Sequence, residues 1–121
     1  MDRPVVVTGL GAITPLGNNP QDFWNGLIEG KNGIGSITRF DASRLTTRMA
    51  GEVKDFDPSA YVDAKEVRRT DLYSQYALAA AHQAMTDAGL DQNPPTPERA
   101  GVMIGTGIGG IASLEAQHQI M

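Results

Sequence analysis

The residues Gly105-Thr106-Gly107-Ile108-Gly109-Gly110 fit the spacing G-x-G-x-x-G through Gly105, Gly107 and Gly110. Between a strand and a helix, such a loop lets backbone N–H groups cradle a pyrophosphate at the helix N-terminus. The acidic partner for the ribose, about 20 residues further on, would fall beyond residue 121. Glycines also serve close strand–helix packing, so the loop alone is a weak nucleotide signal. Lys65, Arg68 and Arg69 are spaced i, i+3, i+4 and share one face of a helical turn. Such a cluster is either solvated charge or, in an acidic chain, a spot that steers an acidic partner. His82 and His118 are the two histidines. His82 falls inside an alanine-rich segment and reads as a packed or hydrogen-bonded structural residue. His118 has no serine or carboxylate spaced to make it a base. With no cysteine, no Gly-x-Ser-x-Gly elbow and no paired metal ligands, the chain carries binding elements without a catalytic constellation.

Two other glycine-bearing segments fail on inspection. In Thr8-Gly9-Leu10-Gly11-Ala12-Ile13-Thr14-Pro15, Ile13 and Pro15 stand where the T-G-x-x-x-G-x-G dinucleotide loop needs glycine, and Pro15 would obstruct the helix that follows. Gly26-Leu27-Ile28-Glu29-Gly30-Lys31-Asn32 misses a Walker A loop in spacing and lies at a helix C-terminus, where the dipole repels phosphate.

The elements that must position these residues follow from pattern. Val5–Val7 reads as a buried strand entering a tight turn at Gly9 and Gly11. Asn19, Pro20 and Asp22 start a helix whose apolar stripe is Phe23, Trp24, Leu27 and Ile28, and Gly30 ends it. Residues 31–63 form a long excursion with Met49–Val53 as its best strand candidate. A second helix, Asp71–Ala88, carries six alanines and apolar residues nearly all round, which predicts burial among neighbours, and Gly89 stops it. Asn93-Pro94-Pro95-Thr96-Pro97 is a stiff linker. Val102–Ile104 predicts a further buried strand, followed by the glycine loop and a helix from Ile111. This alternation indicates a layered α/β fold. A buried helix with so few strands, and a last helix still running at Met121, predict part of a larger domain.

Composition bounds the partners. The 121 residues hold 14 acidic and 10 basic side chains, a net charge of −4, which disfavours nucleic acid as a partner. No apolar run reaches the roughly 18 residues of a membrane helix, and the N-terminal residues do not read as a secretory signal. A cytoplasmic protein is expected.

Taken together, the runs Val5-Val6-Val7-Thr8-Gly9-Leu10-Gly11, Pro15-Leu16-Gly17, Phe23-Trp24, Gly30-Lys31, Gly33-Ile34, Arg39-Phe40-Asp41, Ala50-Gly51-Glu52-Val53-Lys54-Asp55-Phe56, Lys65-Glu66, Arg68-Arg69, Asp71, Gln75-Tyr76-Ala77 and Ile104–Gly110 closely resemble the N-terminal part of type II β-ketoacyl-[acyl-carrier-protein] synthases. The resemblance implies a thiolase-like fold of alternating α-β-α-β-α layers, of which residues 1–121 would be an incomplete N-terminal portion. It implies a homodimeric acyltransferase that elongates acyl chains in fatty-acid biosynthesis by decarboxylative Claisen condensation of an acyl-enzyme with malonyl-[acyl-carrier-protein]. The cysteine nucleophile and two histidines of the family come later in its sequences, so no catalytic residue is expected among residues 1–121, and the 121-residue chain alone is expected to be inactive. Lys65, Arg68 and Arg69 match the family's carrier-protein docking patch. Ile108, flanked by Gly107 and Gly109, matches the residue gating the acyl pocket. No cofactor or metal of its own is expected, since phosphopantetheine arrives on acyl carrier protein. The alternatives are a polyketide ketosynthase or chain-length-factor segment, and a non-catalytic carrier-protein- or nucleotide-binding module.

Overall fold

The computed structural model describes residues 4–121. The chain divides into two compact units, one of residues up to Gly11 with Asp57–Met121 and one of Ala12–Phe56.

In the second of these, helix α1 (Pro20–Ile28) forms where the capping residues predict it. Asn19 Oδ1 accepts from the Asp22 N–H at 2.8 Å, and Asn19 Nδ2 donates to the Asp22 carboxylate at 2.7 Å. The cap and the first turn are thus tied reciprocally. Gly30 ends the helix with φ +65°: its N–H reaches the Leu27 carbonyl and the Lys31 N–H reaches the Gly26 carbonyl, a Schellman closure. The excursion yields a two-stranded antiparallel ribbon, β1 (Gly35–Ser36) against β2 (Met49–Ala50), with Gly35 opposite Ala50 and Ser36 opposite Met49. The strand predicted over Met49–Val53 is cut to its first two residues. Ile34, which would face Gly51, gives its N–H to Asn32 Oδ1 at 2.9 Å instead of to a ladder.

The Glu52 carboxylate clamps the ribbon. It accepts from the Thr38 N–H (3.1 and 3.2 Å), the Thr38 hydroxyl (2.7 Å) and the Arg39 N–H (3.3 Å). These donors favour the ionised form, so the Glu52 carboxyl titrates below its ordinary 4.5, with the Thr38 hydroxyl the largest cause. A group depressed in the folded state stabilises it above the unfolded pKa and loses that contribution as pH falls through the folded value. The Thr38 amide is therefore expected to be protected at neutral pH and to lose protection, relative to its intrinsic exchange rate, below pH 4.5, and Glu52→Gln should lower that protection at neutral pH too.

In the first unit, a 3-10 turn (Pro58–Ala60) and the single-turn helix α2 (Ala64–Val67) precede the long helix α3 (Leu72–Asp87). Helix α3 closes on Gly89, φ +67°, again with a Schellman pair from Gly89 and Leu90 to Thr86 and Met85. Its small residues admit a close backbone approach. Gly9 lies on the backbone at Ala84 and Ala88, and Gly11 lies on the carbonyl of Ala80. Between them the Leu10 N–H donates to the Asp87 carboxylate at 2.9 Å. Helix α3 is not buried all round, however. Gln75 and Ala79 are its buried residues, while Leu72, Tyr73, Leu78 and Met85 are exposed. The two predicted core strands are also corrected. Val5–Val7 and Val102–Ile104 form no ladder and are exposed, Val5 at 99% and Met103 at 98%. An apolar triplet becomes a strand only when a neighbour takes its backbone groups, and among the described residues neither has one. Helix α4 (Ile111–Ile120) ends the described structure. No helix of the described residues is long and apolar enough to cross a membrane.

Candidate functional site

The basic triple predicted at Lys65, Arg68 and Arg69 is built by a short, heavily capped turn. Asp63 Oδ1 accepts from the Lys65 N–H at 2.8 Å and the Glu66 N–H at 3.0 Å, fixing the start of α2. At its end the Glu66 carbonyl takes three donors: the Arg69 N–H (2.9 Å), the Thr70 N–H (3.0 Å) and the Thr70 hydroxyl (2.7 Å). Lys65 lies within the helical turn, Arg68 continues it at φ −76°, ψ −11°, and Arg69 follows. All three are exposed, and none joins an ion pair among the described residues. Of the neighbouring acids, Asp63 is occupied by backbone N–H groups, Asp71 by the Ser113 hydroxyl, and the exposed Glu66 carboxylate pairs with none of the three. The turn therefore offers its cations outward.

The glycine loop is tied to the same region through Asp71. The Ser113 hydroxyl on α4 makes a short hydrogen bond to Asp71 Oδ1, so the residue two places after Arg69 anchors the helix that follows the loop. Gly110 starts α4 in the left-handed region, φ +79°, and a Cβ there would meet Asp71 Oδ2 at 2.9 Å. A Cβ on Gly109 would meet the Thr106 hydroxyl at 2.7 Å and the Tyr73 ring at 2.8 Å. Gly107, by contrast, has open space around it, and the Ile108 side chain is 77% exposed. The nucleotide reading loses its strand, because residues 102–104 are irregular here, and a pyrophosphate cradle requires the strand–turn–helix frame.

His82 is exposed and stacks edge-to-face on Tyr61, with ring centroids 5.5 Å apart. This is a surface packing contact rather than an interior one. His118 is exposed on α4 beside Ile111 and Leu114. Glu115 lies on the same surface as His118, but neither histidine makes an ion pair among the described residues.

The residues to which the sequence gives no role in the site are those that hold the turn: Asp63, Thr70, Asp71, Gln75 and Ser113. Asp63-x-x-Glu66 is a readable cap signal. The pairing of Asp71 with Ser113, 42 residues away, has no local signature.

The family model for the β-ketoacyl synthase N-terminal domain matches residues 2–120. The chain belongs to the β-ketoacyl synthase family. Over 119 residues, 98% of the chain, it is 56% identical to a 3-oxoacyl-[acyl-carrier-protein] synthase 2 of Synechocystis and 47% identical to one of Coxiella burnetii. It spans 29% of the length of each of these relatives. Among solved structures it is similar to the ishigamide ketosynthase/chain length factor (TM-score 0.73, 32% identity, 95% of this chain and 29% of that one). It is also similar to a type II polyketide synthase ketosynthase, AntDE, solved with its acyl carrier protein, AntF (TM-score 0.66, 26% identity, 94% of this chain and 31% of that one). The thiolase-like fold expected from the resemblance is thereby established, with this β-ketoacyl synthase chain forming a portion of it.

Proposed function

We propose that this chain supplies the carrier-protein docking turn and an acyl-pocket loop of a fatty-acid-elongating β-ketoacyl-[acyl-carrier-protein] synthase. The enzyme joins an acyl group held on a cysteine to the carbanion equivalent released by decarboxylation of malonyl-[acyl-carrier-protein]. Its two histidines and an oxyanion hole of backbone N–H groups stabilise the negative charge that develops on oxygen. It works as a cytoplasmic homodimer. The observation that carries this reading is the capped turn presenting Lys65, Arg68 and Arg69 to solvent without acidic partners among the described residues. The 56% identity to a 3-oxoacyl-[acyl-carrier-protein] synthase 2, against 26% to the type II polyketide ketosynthase, favours fatty-acid elongation over the polyketide alternative.

The deciding experiment is a titration of the complete synthase with acyl carrier protein and, separately, with NAD. Salt-sensitive binding of the carrier protein that depends on Arg68 and Arg69 is expected. NAD binding at the Gly105–Gly110 loop, with no carrier-protein binding, would overturn the reading.

The loop has its own test. Ile108 borders the acyl pocket, and the open space at Gly107 gives its backbone room to swing the side chain aside. Ile108→Phe is expected to shift product distribution toward shorter chains, with long-acyl kcat/KM reduced on the order of 10-fold, about 1.4 kcal/mol. An unchanged chain-length profile would remove Ile108 from the gate.

A further inference from the structure

Gln75 is the one buried polar residue among the described residues, with 4% of its surface exposed. Its side-chain nitrogen donates to the Val67 carbonyl at 3.1 Å and to the Thr70 carbonyl at 2.9 Å. Those two carbonyls bracket Arg68 and Arg69. The Val67 carbonyl is one of the acceptors that a helix end leaves unpaired, and α2 is too short to hold its geometry through propensity. Helix α3, anchored by its own Schellman closure and by Gly9 and Gly11, is the longest helix of the unit.

From this juxtaposition we infer that Gln75 is a positioning residue: both protons of its amide fasten the Arg68–Arg69 turn to α3 and hold the two guanidinium groups preorganised for an acidic partner. The inference rests on the docking reading above. Because Gln75 itself carries no charge, it acts on how long a docked partner stays rather than on long-range attraction, which belongs to the arginines.

The test compares Gln75→Met, which keeps the volume and removes the donors, with Arg68→Glu/Arg69→Glu in the complete synthase. Each is assayed with acyl carrier protein and with a small acyl-pantetheine thioester that does not need the docking turn. Gln75→Met is expected to raise KM for the carrier-linked substrate roughly three- to tenfold, the equivalent of one lost hydrogen bond. Faster carrier-protein dissociation, an unchanged salt slope and unchanged acyl-pantetheine turnover are expected with it. Gln75→Glu, offering acceptors where donors are needed, should do the same. Parallel losses on both substrates, or variants that fail to fold, would assign Gln75 to stability and overturn the inference. Normal carrier kinetics in Gln75→Met, with docking still lost in the charge reversal, would overturn it while leaving the docking reading intact. Normal carrier binding in the charge reversal would remove the docking reading, and the inference with it.

Discussion

Gly11→Ala is expected to destabilise the protein by about 3 kcal/mol or more, at or beyond the upper end of ordinary overpacking costs. The reason lies in what the added methyl meets. A Cβ at Gly11 would overlap the carbonyl oxygen of Ala80 and lie 3.1 Å from its Cα. A backbone group inside a 16-residue helix has no rotamer to change, so the segment itself must move away. Movement there also stretches the neighbouring Leu10 N–H bond to Asp87 and lifts Gly9 from Ala84 and Ala88. Gly9→Ala should cost a similar amount, and the double substitution less than the sum, because the first displacement relieves the second site. At Gly35 an added methyl would have nothing within 4 Å, on a backbone outside the left-handed region, so Gly35→Ala should stay within about 0.5 kcal/mol. Urea midpoints of the variants check this. Equal midpoints for Gly11→Ala and Gly35→Ala would show that the glycines are not the contact between the N-terminal segment and α3.

The same contact shows why some elements were legible and others were not. Helix ends are written locally. Asn19-Pro20-x-Asp22 starts α1, and Gly30 and Gly89 close α1 and α3 within a residue or two of the predicted limits. The alanines at 80, 84 and 88 leave room for another backbone, and Gly9 and Gly11 are what approaches. Strands are different, because a β-branched triplet states a preference and a ladder supplies the structure. Val5–Val7 and Val102–Ile104 carry the preference with no paired neighbour among the described residues. Ile34 shows the competing local chemistry at work, its N–H captured by Asn32 before the ribbon can lengthen.

The candidate site divides along the same line. Exposure and grouping of Lys65, Arg68 and Arg69 follow from charge and spacing, and the structure places all three at the surface. What orients them does not follow. Gln75 reaches back eight and five residues to carbonyls that any side chain could follow, and Asp71 finds Ser113 across 42 residues. Besides the Asp63-x-x-Glu66 cap, a glutamine inside an apolar helix is the available signal, since an unpaired amide buried there would be costly.

Reversing charge at both arginines, Arg68→Glu/Arg69→Glu, is expected to weaken acyl carrier protein binding roughly 30- to 1,000-fold. Each exposed ion pair is worth about 0.2–1 kcal/mol, and a like charge set opposite an acidic partner adds repulsion of similar or greater size. Two sites then give about 2–4 kcal/mol, and every 1.4 kcal/mol is tenfold. The loss should fall mainly on the association rate and should shrink as salt rises, because the Debye length drops from about 10 Å at 0.1 M to about 3 Å at 1 M. Neither arginine makes an ion pair among the described residues, and both side chains are exposed. The reversal therefore removes no internal contact of that kind, and the unfolding midpoint should stay nearly unchanged. Acyl-pantetheine turnover should be retained for the same reason. Stopped-flow association at several salt concentrations, with that small-substrate control, separates docking from folding. An association rate equal to the parent's at low salt would exclude this turn as the docking surface, whatever the family's other members use.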